Sequence, residues 1–316
     1  MHHLVIGEGQ IGRAIIHQAE ARGDDVTVIR RSPSPGAGAG AEPRIRRISA
    51  DVNDLAALRR AAEGADAVHA CFHAAYDARV WASELPGREQ NVMTIAAERS
   101  IPAIFPESTY AWAANARSLR EGSDYAPCDD KGRVRVSLLK ARREHEARTV
   151  SIVAADLIGP TSLGTGASVA CATVLEPIVK GRQPVVLANP ALPHSLTFTP
   201  DLAAAMIFAA ENAHGIGSSA DTVWHAPTAP ARSLFDLAAE VARTSGRRFR
   251  QPLAIPRAAL RAASPLHRMI RELSDISELW YQPHEIENGY LTHEAGLAPT
   301  DWAEAVDLTV REAMGR

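Results

Sequence analysis

The chain has few cysteines, few lysines and few aromatic residues. Only 3 of its 316 residues are cysteine, and 5% are aromatic. The cysteines are odd in number and form no CxxC or Cys/His pattern, which argues against a disulfide framework and a zinc site. We therefore expect a reducing, cytoplasmic compartment. Almost all basic residues are arginine, since the only lysines are Lys131, Lys140 and Lys180.

Neither charge sign is in large excess, and long apolar runs are missing. The chain has 34 basic and 37 acidic residues and a formal net charge of −3, which gives no electrostatic reason to expect nucleic acid or an anionic membrane as partner. No apolar run approaches the ~18–20 residues of a membrane helix. The apolar residues 4–6 are too short for a signal peptide. No histidine pair has metal-ligand spacing. We expect a globular protein that binds a small molecule and no metal.

A glycine turn follows the first apolar run. Residues 4–6 precede it, a helical pattern over residues 13–22 follows it, and residues 26–29 read as the next strand. The turn is Gly7-Glu8-Gly9-Gln10-Ile11-Gly12. In such a unit the first glycine permits the tight turn, the second lets a diphosphate approach, and the third lets helix and strand pack closely. We therefore predict that Gly7, Gly9, Gln10, Ile11 and Gly12 bind a dinucleotide at the helix N-terminus.

The end of the second predicted strand carries two arginines. An NAD-selective site places Asp or Glu there for the ribose 2′-hydroxyl, but this chain has Arg30 and Arg31, while Asp24 and Asp25 precede the strand. The planar fork of arginine pairs well with phosphate oxygens. The sequence therefore favours NADP, with NAD left possible.

Short apolar strands alternate with helical patterns up to about residue 160. This alternation predicts an α/β fold, a Rossmann-type doubly wound parallel sheet covered on both faces. We assign residues 1–160 to the dinucleotide-binding domain. Residues 161–316 are predicted to add the last sheet elements and a smaller substrate lobe. Residues 32–43, rich in Gly, Pro and Ala, are predicted to form a surface loop.

Several ordered motifs resemble the extended or atypical short-chain dehydrogenase/reductases, the NAD(P)-dependent epimerase/dehydratase family. They run through nearly the whole chain: the glycine turn, Asp51-Val52, Asn91-Val92, Ile158-Gly159-Pro160 and Gly296-Leu297-Ala298-Pro299-Thr300. The resemblance implies that Asp51 and Val52 meet the adenine ring. It also implies an enzyme that acts on a small carbonyl- or hydroxyl-bearing substrate such as a sugar nucleotide.

The resemblance is uneven in the catalytic set, which in this family is Ser or Thr, Tyr and Lys, with the tyrosine four residues before the lysine. It implies that Ser108 is the catalytic serine, that Lys140 is the catalytic lysine and also binds the nicotinamide ribose of the cofactor, and that Val136 stands where the tyrosine would be. Valine has no ionisable proton, so another group must act. Tyr110 is our choice of replacement. The other candidates near the same sheet edge are Tyr76, Tyr125 and His73.

Two functions stay open at this point. The first is an NADP-dependent oxidoreductase or epimerase, favoured by the glycine turn, Ser108 and Lys140. The second is a non-catalytic NADP-binding sensor or regulatory protein, favoured by Val136, since fold alone does not fix function. The family resemblance also implies a homodimer that pairs through helices over residues 91–99 and 136–148.

Overall fold

A computed structural model describes residues 1–32, 44–213, 221–265 and 267–315. The predicted loop over residues 32–43 lies, apart from Ser32, outside the described residues. The same holds for its alternate glycines Gly36, Gly38 and Gly40.

Seven parallel strands form the central sheet, in the order β3-β2-β1-β4-β5-β6-β11. These strands are β1 His2–Ile6, β2 Asp25–Arg30, β3 Ile45–Ser49, β4 Ala67–Ala70, β5 Ala103–Ser108, β6 Thr149–Ala154 and β11 Asp221–His225. Val5 in β1 is in register with Val28 of β2 on one side and His69 of β4 on the other. Chain order therefore reverses between β1 and β4, which opens a ligand crevice at the carboxyl ends of the strands. The prediction of a doubly wound parallel sheet is confirmed.

Helices cover both faces of the sheet. They are α1 Gln10–Ala21, α2 Leu55–Ala61, α3 Ala78–Arg99, α4 Asp130–Glu144 and α6 Thr199–Asn212. On one face α1 and α6 pack on side chains such as Val5 and Ile152. On the other face α2 and α3 pack on Ile6 and Phe105. A 3-10 segment, Thr109–Ser118, joins β5 to the chain that leads into α4.

A smaller apolar core lies beyond residue 157. It contains Val174, Val186, Leu237 and Val306. The remaining elements are β7 Asp156–Ile158, α5 Glu176–Val179, β8 Val185–Val186, β9 Pro193–His194, β10 Leu196–Phe198, β12 Arg232–Ser233, α7 Leu234–Ser245, β13 Leu253–Ala254, α8 Arg257–Ala263, α9 Arg268–Asp275, α10 Ser277–Tyr281, α11 Tyr290–His293 and α12 Trp302–Ala313. Three two-stranded sheets pair β7 with β10, β9 with β12 and β8 with β13. In the described parts of the chain, no helix has the length and apolar character needed to cross a membrane.

Two predicted helices have different bounds in the structure. The helix predicted over residues 91–99 is the last part of α3, which begins at Ala78 because the Asp77 carboxylate accepts the N–H groups of Arg79 and Val80. The helix predicted over residues 136–148 is α4, which begins six residues earlier because Asp129 caps the N–H of Gly132 at 2.7 Å. The earlier start adds Lys131 and Arg135, which lie outside the predicted bounds, to the helix.

Candidate active site

The glycine turn has the tight geometry that its sequence predicts. Gly7 has φ +106°, and a Cβ there would lie 2.6 Å from the carbonyl oxygen of Cys71, which follows β4. The N–H of Gly7 donates to Ile29 O at 2.8 Å, which ties the turn to β2. A Cβ on Gly12 would collide with the carbonyl of Gly7, so α1 packs closer to the turn than any side chain allows. The turn is therefore held at the point where the sheet order reverses.

The N-terminus of α1 can accept an anionic group. Gly9 caps the helix without a side-chain hydrogen bond, and the first turn has no acidic residue. A Cβ on Gly9 would meet no atom within 4 Å, so there is open space beside these N–H groups. The buried Oε1 of Gln10 has no hydrogen-bond partner among the described residues, whereas Ile11 packs against the sheet core. This open cradle fits a dinucleotide diphosphate.

The carboxylate of Glu8 lies between two arginines at the adenosine end of the crevice. Arg30 Nη1 donates to Glu8 Oε2 at 2.8 Å, and Arg47 Nε donates to Glu8 Oε1 at 2.9 Å. Arg31, the second predicted arginine, is exposed. Sequence reasoning missed Glu8 and Arg47. The only available signal was an acid inside the glycine turn, because nothing local links Arg47 of β3 to that turn.

Asp51 and Val52 lie between β3 and α2. Asp51 Oδ1 accepts the N–H of Asn53 at 2.8 Å, which closes a short turn. Val52 is buried, and its carbonyl accepts from Asn91 Nδ2 at 3.0 Å. Asn91 is therefore inside α3, where it anchors the loop that carries Val52, rather than at the start of a helix. An apolar side chain therefore lies next to the end of β3, as part of the core on that face of the sheet.

Ser108 is the last residue of β5, at the same sheet edge as the glycine turn. Its N–H donates to Glu107 Oε1 at 2.8 Å, and its hydroxyl lies 3.4 Å from the same oxygen. Glu107 is buried, and Arg135 Nε lies 3.4 Å from its Oε1. Ser108 is half-buried. Its hydroxyl is next to the buried Glu107 carboxylate, which is itself paired with Arg135.

The structure does not place Lys140 at this site. Lys140 is exposed on α4, whereas Arg142, about 200° further around the helix at 100° per residue, points into the protein. Val136 packs beside Trp112 and Leu139. Because α4 begins at Asp130, it also contains Lys131 and Arg135. These two residues are four positions apart, and both are buried on the inner face of the helix. The prediction that Lys140 lines the site is corrected accordingly.

Lys131 and Arg135 both have partners. Lys131 Nζ donates to Glu272 Oε2 of α9 at 2.6 Å and lies 4.9 Å from the centroid of the Tyr76 ring. Arg135 Nη2 lies 2.6 Å from His73 Nε2, and its guanidinium lies over the ring of Trp81. Burial of the imidazole, with Arg135 beside it, lowers the pKa of His73 to about 4. His73 is therefore neutral at pH 7, with both ring nitrogens engaged by Arg135 and by Ala74 O.

Tyr76 and Tyr110 form a hydroxyl pair 3.3 Å apart. The Tyr110 ring stacks on Trp81 at a centroid distance of 6.0 Å. Burial raises the pKa of Tyr110 to about 12, and burial also raises the pKa of Tyr76. Both hydroxyls are therefore protonated at neutral pH. Tyr125 lies apart from this pair, against Trp112 at a centroid distance of 5.4 Å.

Arg142, which lies beside Arg143 in a charged stretch of the sequence, is fully buried. Its Nε and Nη2 donate to the two oxygens of Glu89 at 2.8 and 2.7 Å, and Nη1 donates to Glu107 Oε2 and Ser151 Oγ at 3.0 Å. Coulomb attraction and hydrogen bonds from both glutamates raise the pKa of Arg142, against the opposing effect of burial. This cluster supports β5 directly beneath Ser108.

Asp156, which sequence reasoning did not single out, lies just after β6. Its carboxylate accepts the N–H groups of Val169 and Ala170 at 3.1 and 2.7 Å. Burial raises the pKa of Asp156 to about 6, although these hydrogen bonds oppose the rise. No local motif marks the residue, since its partners lie more than ten residues away in sequence.

Similarity to known proteins agrees with this geometry. Residues 7–114 match the model of a family described as NAD(P)H-binding. No curated protein matches the chain in sequence. Among solved structures, UDP-glucose 4-epimerase of Thermotoga maritima, in complex with UDP-glucose, is 14% identical with a TM-score of 0.75, over 100% of this chain and 99% of its own. WbmG of Bordetella bronchiseptica, in complex with NAD and UDP, is 16% identical with a TM-score of 0.75, over 99% and 94%.

A third neighbour is a putative epimerase from Burkholderia cenocepacia, 18% identical with a TM-score of 0.74, over 100% of this chain and 98% of its own. At such identities the likeness establishes the fold. The first part of the chain thus matches a family described as NAD(P)H-binding, and the whole chain has the fold of these epimerase structures.

Proposed function

We propose that this chain, which has an NAD(P)H-binding domain and the extended short-chain dehydrogenase/reductase fold, is an NAD(P)-dependent oxidoreductase or epimerase. Its substrate is a small carbonyl- or hydroxyl-bearing molecule such as a sugar nucleotide. The lobe within residues 161–316 holds that substrate. The observation that carries the proposal is the uncapped, open N-terminus of α1 behind the glycine turn at the switch point of the sheet.

The preferred cofactor is NADP. Arg30 ends β2 and Arg31 follows it, with no acid at this point, and a guanidinium pairs with the oxygens of a 2′-phosphate. The diphosphate lies against the N–H groups that follow Gly9, and the adenine lies against Val52. A bound nicotinamide cofactor supplies hydride transfer.

Ser108 and Tyr110 are the proposed catalytic groups. The Ser108 hydroxyl orients the substrate oxygen, and Glu107 orients the serine. Tyr110, whose pKa burial raises to about 12, keeps its proton at neutral pH. It is therefore in the form that can donate a proton from its Oη to a substrate carbonyl oxygen, as carbonyl reduction requires, although the raised pKa makes it a weaker acid than an unperturbed tyrosine. Lys140 has no role in this proposal.

A second candidate function is a non-catalytic NADP-binding sensor. The observation that favours it is the placement of Lys131, whose ammonium pairs with Glu272 and lies over the ring of Tyr76. In this position the lysine gives no direct bond to the hydroxyl of Tyr110 among the described contacts. A tyrosine that is not activated in this way is a weak acid catalyst.

Two measurements separate these functions. Calorimetry with NADP⁺ and NAD⁺ should detect both cofactors, with NADP⁺ tighter, and heat from neither would refute both functions. NADPH oxidation is then followed over a panel of carbonyl compounds and sugar nucleotides. Ser108→Ala and Tyr110→Phe should each lower turnover by ~10²–10⁴-fold. Tyr125→Phe is the matched control and should change turnover little. Cofactor binding without turnover on any substrate would favour the sensor.

The homodimer is also a proposal. The pairing surface consists of the outer faces of α3 and α4, which pack against each other in the protomer. Light scattering on the purified protein should give twice the chain mass of 33.9 kDa. The mass of a single chain would contradict the pairing.

A further inference from the structure

Glu8 is negatively charged, yet it lies between two arginines that would attract a cofactor phosphate. Its side chain is 13% exposed, against 28% for Arg30 and 31% for Arg47. Each carboxylate oxygen accepts from one arginine, at 2.8 and 2.9 Å. The three residues come from the glycine turn, the end of β2 and the middle of β3. They therefore meet at the adenosine end of the crevice only through sheet pairing.

We propose that Glu8, Arg30 and Arg47 form one unit that sets cofactor choice, in which the arginines attract a 2′-phosphate and Glu8 limits that attraction. Arg47 is then a second phosphate-binding residue beside Arg30. Glu8 supplies the carboxylate that NAD-selective sites have at the end of β2 and that this chain lacks there. This inference rests on the proposed function, because it assumes that a dinucleotide binds along the glycine turn.

The charges explain why the unit attracts a phosphate at all. Two guanidinium groups and one carboxylate leave a net charge of +1, and the exposed Arg31 adds to it. Arg30 uses Nη1 and Arg47 uses Nε for Glu8, so the other N–H groups of both arginines have no partner in the described part of the chain. A guanidinium has five N–H donors in a fixed fork, so a phosphate can still bind.

Glu8 acts against that phosphate in two ways. It occupies N–H groups of both arginines, and its own charge repels the incoming dianion at short range. The same carboxylate can accept a ribose 2′-hydroxyl, the role that acidic residues play in NAD-selective sites. Both effects favour NAD over NADP. Glu8 therefore keeps the preference for NADP smaller than the arginines alone would produce.

The test uses fragments that isolate the 2′ position. Binding of 2′,5′-ADP and 5′-ADP is measured by calorimetry for the native chain, Glu8→Gln, Arg47→Ala and Arg46→Ala. Arg46 is the matched control, because successive residues of a strand point to opposite faces, and its guanidinium contacts Thr27 Oγ1 instead. Each protein is first checked by thermal unfolding. If Glu8→Gln unfolds early, Glu8→Ala replaces it, with the same expected direction.

The expected result is a change of opposite sign in the two variants. Glu8→Gln should tighten 2′,5′-ADP by about tenfold, and Arg47→Ala should weaken it by about tenfold, the usual size of one charge-assisted contact. Binding of 5′-ADP should change by less than about twofold in Arg47→Ala, because no group at the diphosphate is altered, and should weaken in Glu8→Gln, because that variant loses the carboxylate that accepts the ribose 2′-hydroxyl. Arg46→Ala should change neither fragment.

The outcomes also separate this inference from the proposed function. If the native chain binds neither fragment and neither coenzyme, the proposed function is wrong. If it binds both fragments but Arg47→Ala leaves their affinity ratio unchanged, the inference is wrong while the proposed function stands. Weaker binding of 2′,5′-ADP in Glu8→Gln would also overturn it, since that result would make Glu8 a support for the phosphate.

Discussion

Replacing Arg142 by methionine should destabilise the protein strongly, although the change lies on a helix that looks solvated in sequence. Methionine fills a similar length of side chain but removes the bonds to Glu89, Glu107 and Ser151. Two buried carboxylates then lose their shared cation, and among the ion pairs of the described residues Glu107 keeps Arg135, at 3.4 Å. The loss is therefore that of a broken buried ion pair rather than of a surface contact.

The size of the effect can be worked from these contacts. Removing one partner of a buried ion pair costs about 3–5 kcal/mol. An unfolding entropy of ~2.1 cal/mol/K per residue amounts to about 0.66 kcal/mol/K for 316 residues, so Tm should fall by about 5–8 °C. Urea unfolding and thermal unfolding at pH 7 measure both quantities. Arg143→Met, an exposed neighbour with the same chemical change, should stay within ~0.5 kcal/mol of the native protein.

A double variant tests the reason as well as the size. Glu89→Gln added to Arg142→Met removes one of the two uncompensated charges, so it should recover part of the lost free energy of unfolding. The reasoning is refuted if Arg142→Met unfolds at the same temperature as Arg143→Met. It is equally refuted if the added Glu89→Gln lowers stability further.

Three other predictions follow from buried groups and from α4. Burial, with His194 beside it, lowers the pKa of His284 to about 3, so below pH ~6.5 only the unfolded chain binds that proton. The free energy of unfolding should then fall by ~1.4 kcal/mol per pH unit toward pH 4 from this residue, in addition to the contribution of His73, and His284→Asn should remove that share of the slope in urea titrations. Gly12→Ala should cost ~1–3 kcal/mol through its collision with Gly7, whereas Gly9→Ala, in open space, should keep Tm and weaken cofactor binding in calorimetry. Lys140→Ala should change cofactor affinity and Tm little, because Lys140 is exposed. Lys131→Ala leaves Glu272 buried without its cation and should lower Tm by several degrees. Equal effects of the two variants on Tm would contradict the assignment of the inner face of α4.

The parts of the fold that depend on local spacing were predictable. The glycine turn, the strand before it and the helix after it lie within about thirty residues, and their periodicity predicts one βαβ unit. The apolar runs over residues 4–6 and 26–29 coincide with the strands β1 and β2. The start of α4 was missed, because Asp129 caps a helix whose first turn contains a glycine and charged residues instead of an apolar stripe.

The candidate site also contains residues whose position could be predicted from the sequence and residues whose position could not. Ser108 lies at a strand end, and strand ends can be read from apolar runs, so its position at the crevice was predictable. The inner face of α4 could not be predicted from sequence. The spacing of Val136 and Lys140 shows that the two residues share one face of the helix, but it does not show which face points into the protein. Arg142 shows the same limit, since a charged residue in sequence looks solvated until its partners are known.

The sequence by itself determined the dinucleotide-binding turn and the parallel sheet, because both follow from residues that are neighbours along the chain. Only the tertiary structure decided that Glu8 lies between Arg30 and Arg47, that Lys131 meets Glu272, and that Arg142 is buried. The ion pairs among these contacts join residues that are 22 positions apart, for Glu8 and Arg30, to 141 positions apart, for Lys131 and Glu272. Whether a charged side chain is exposed or buried in an ion pair depends on a partner that is distant in sequence, and local spacing does not identify that partner.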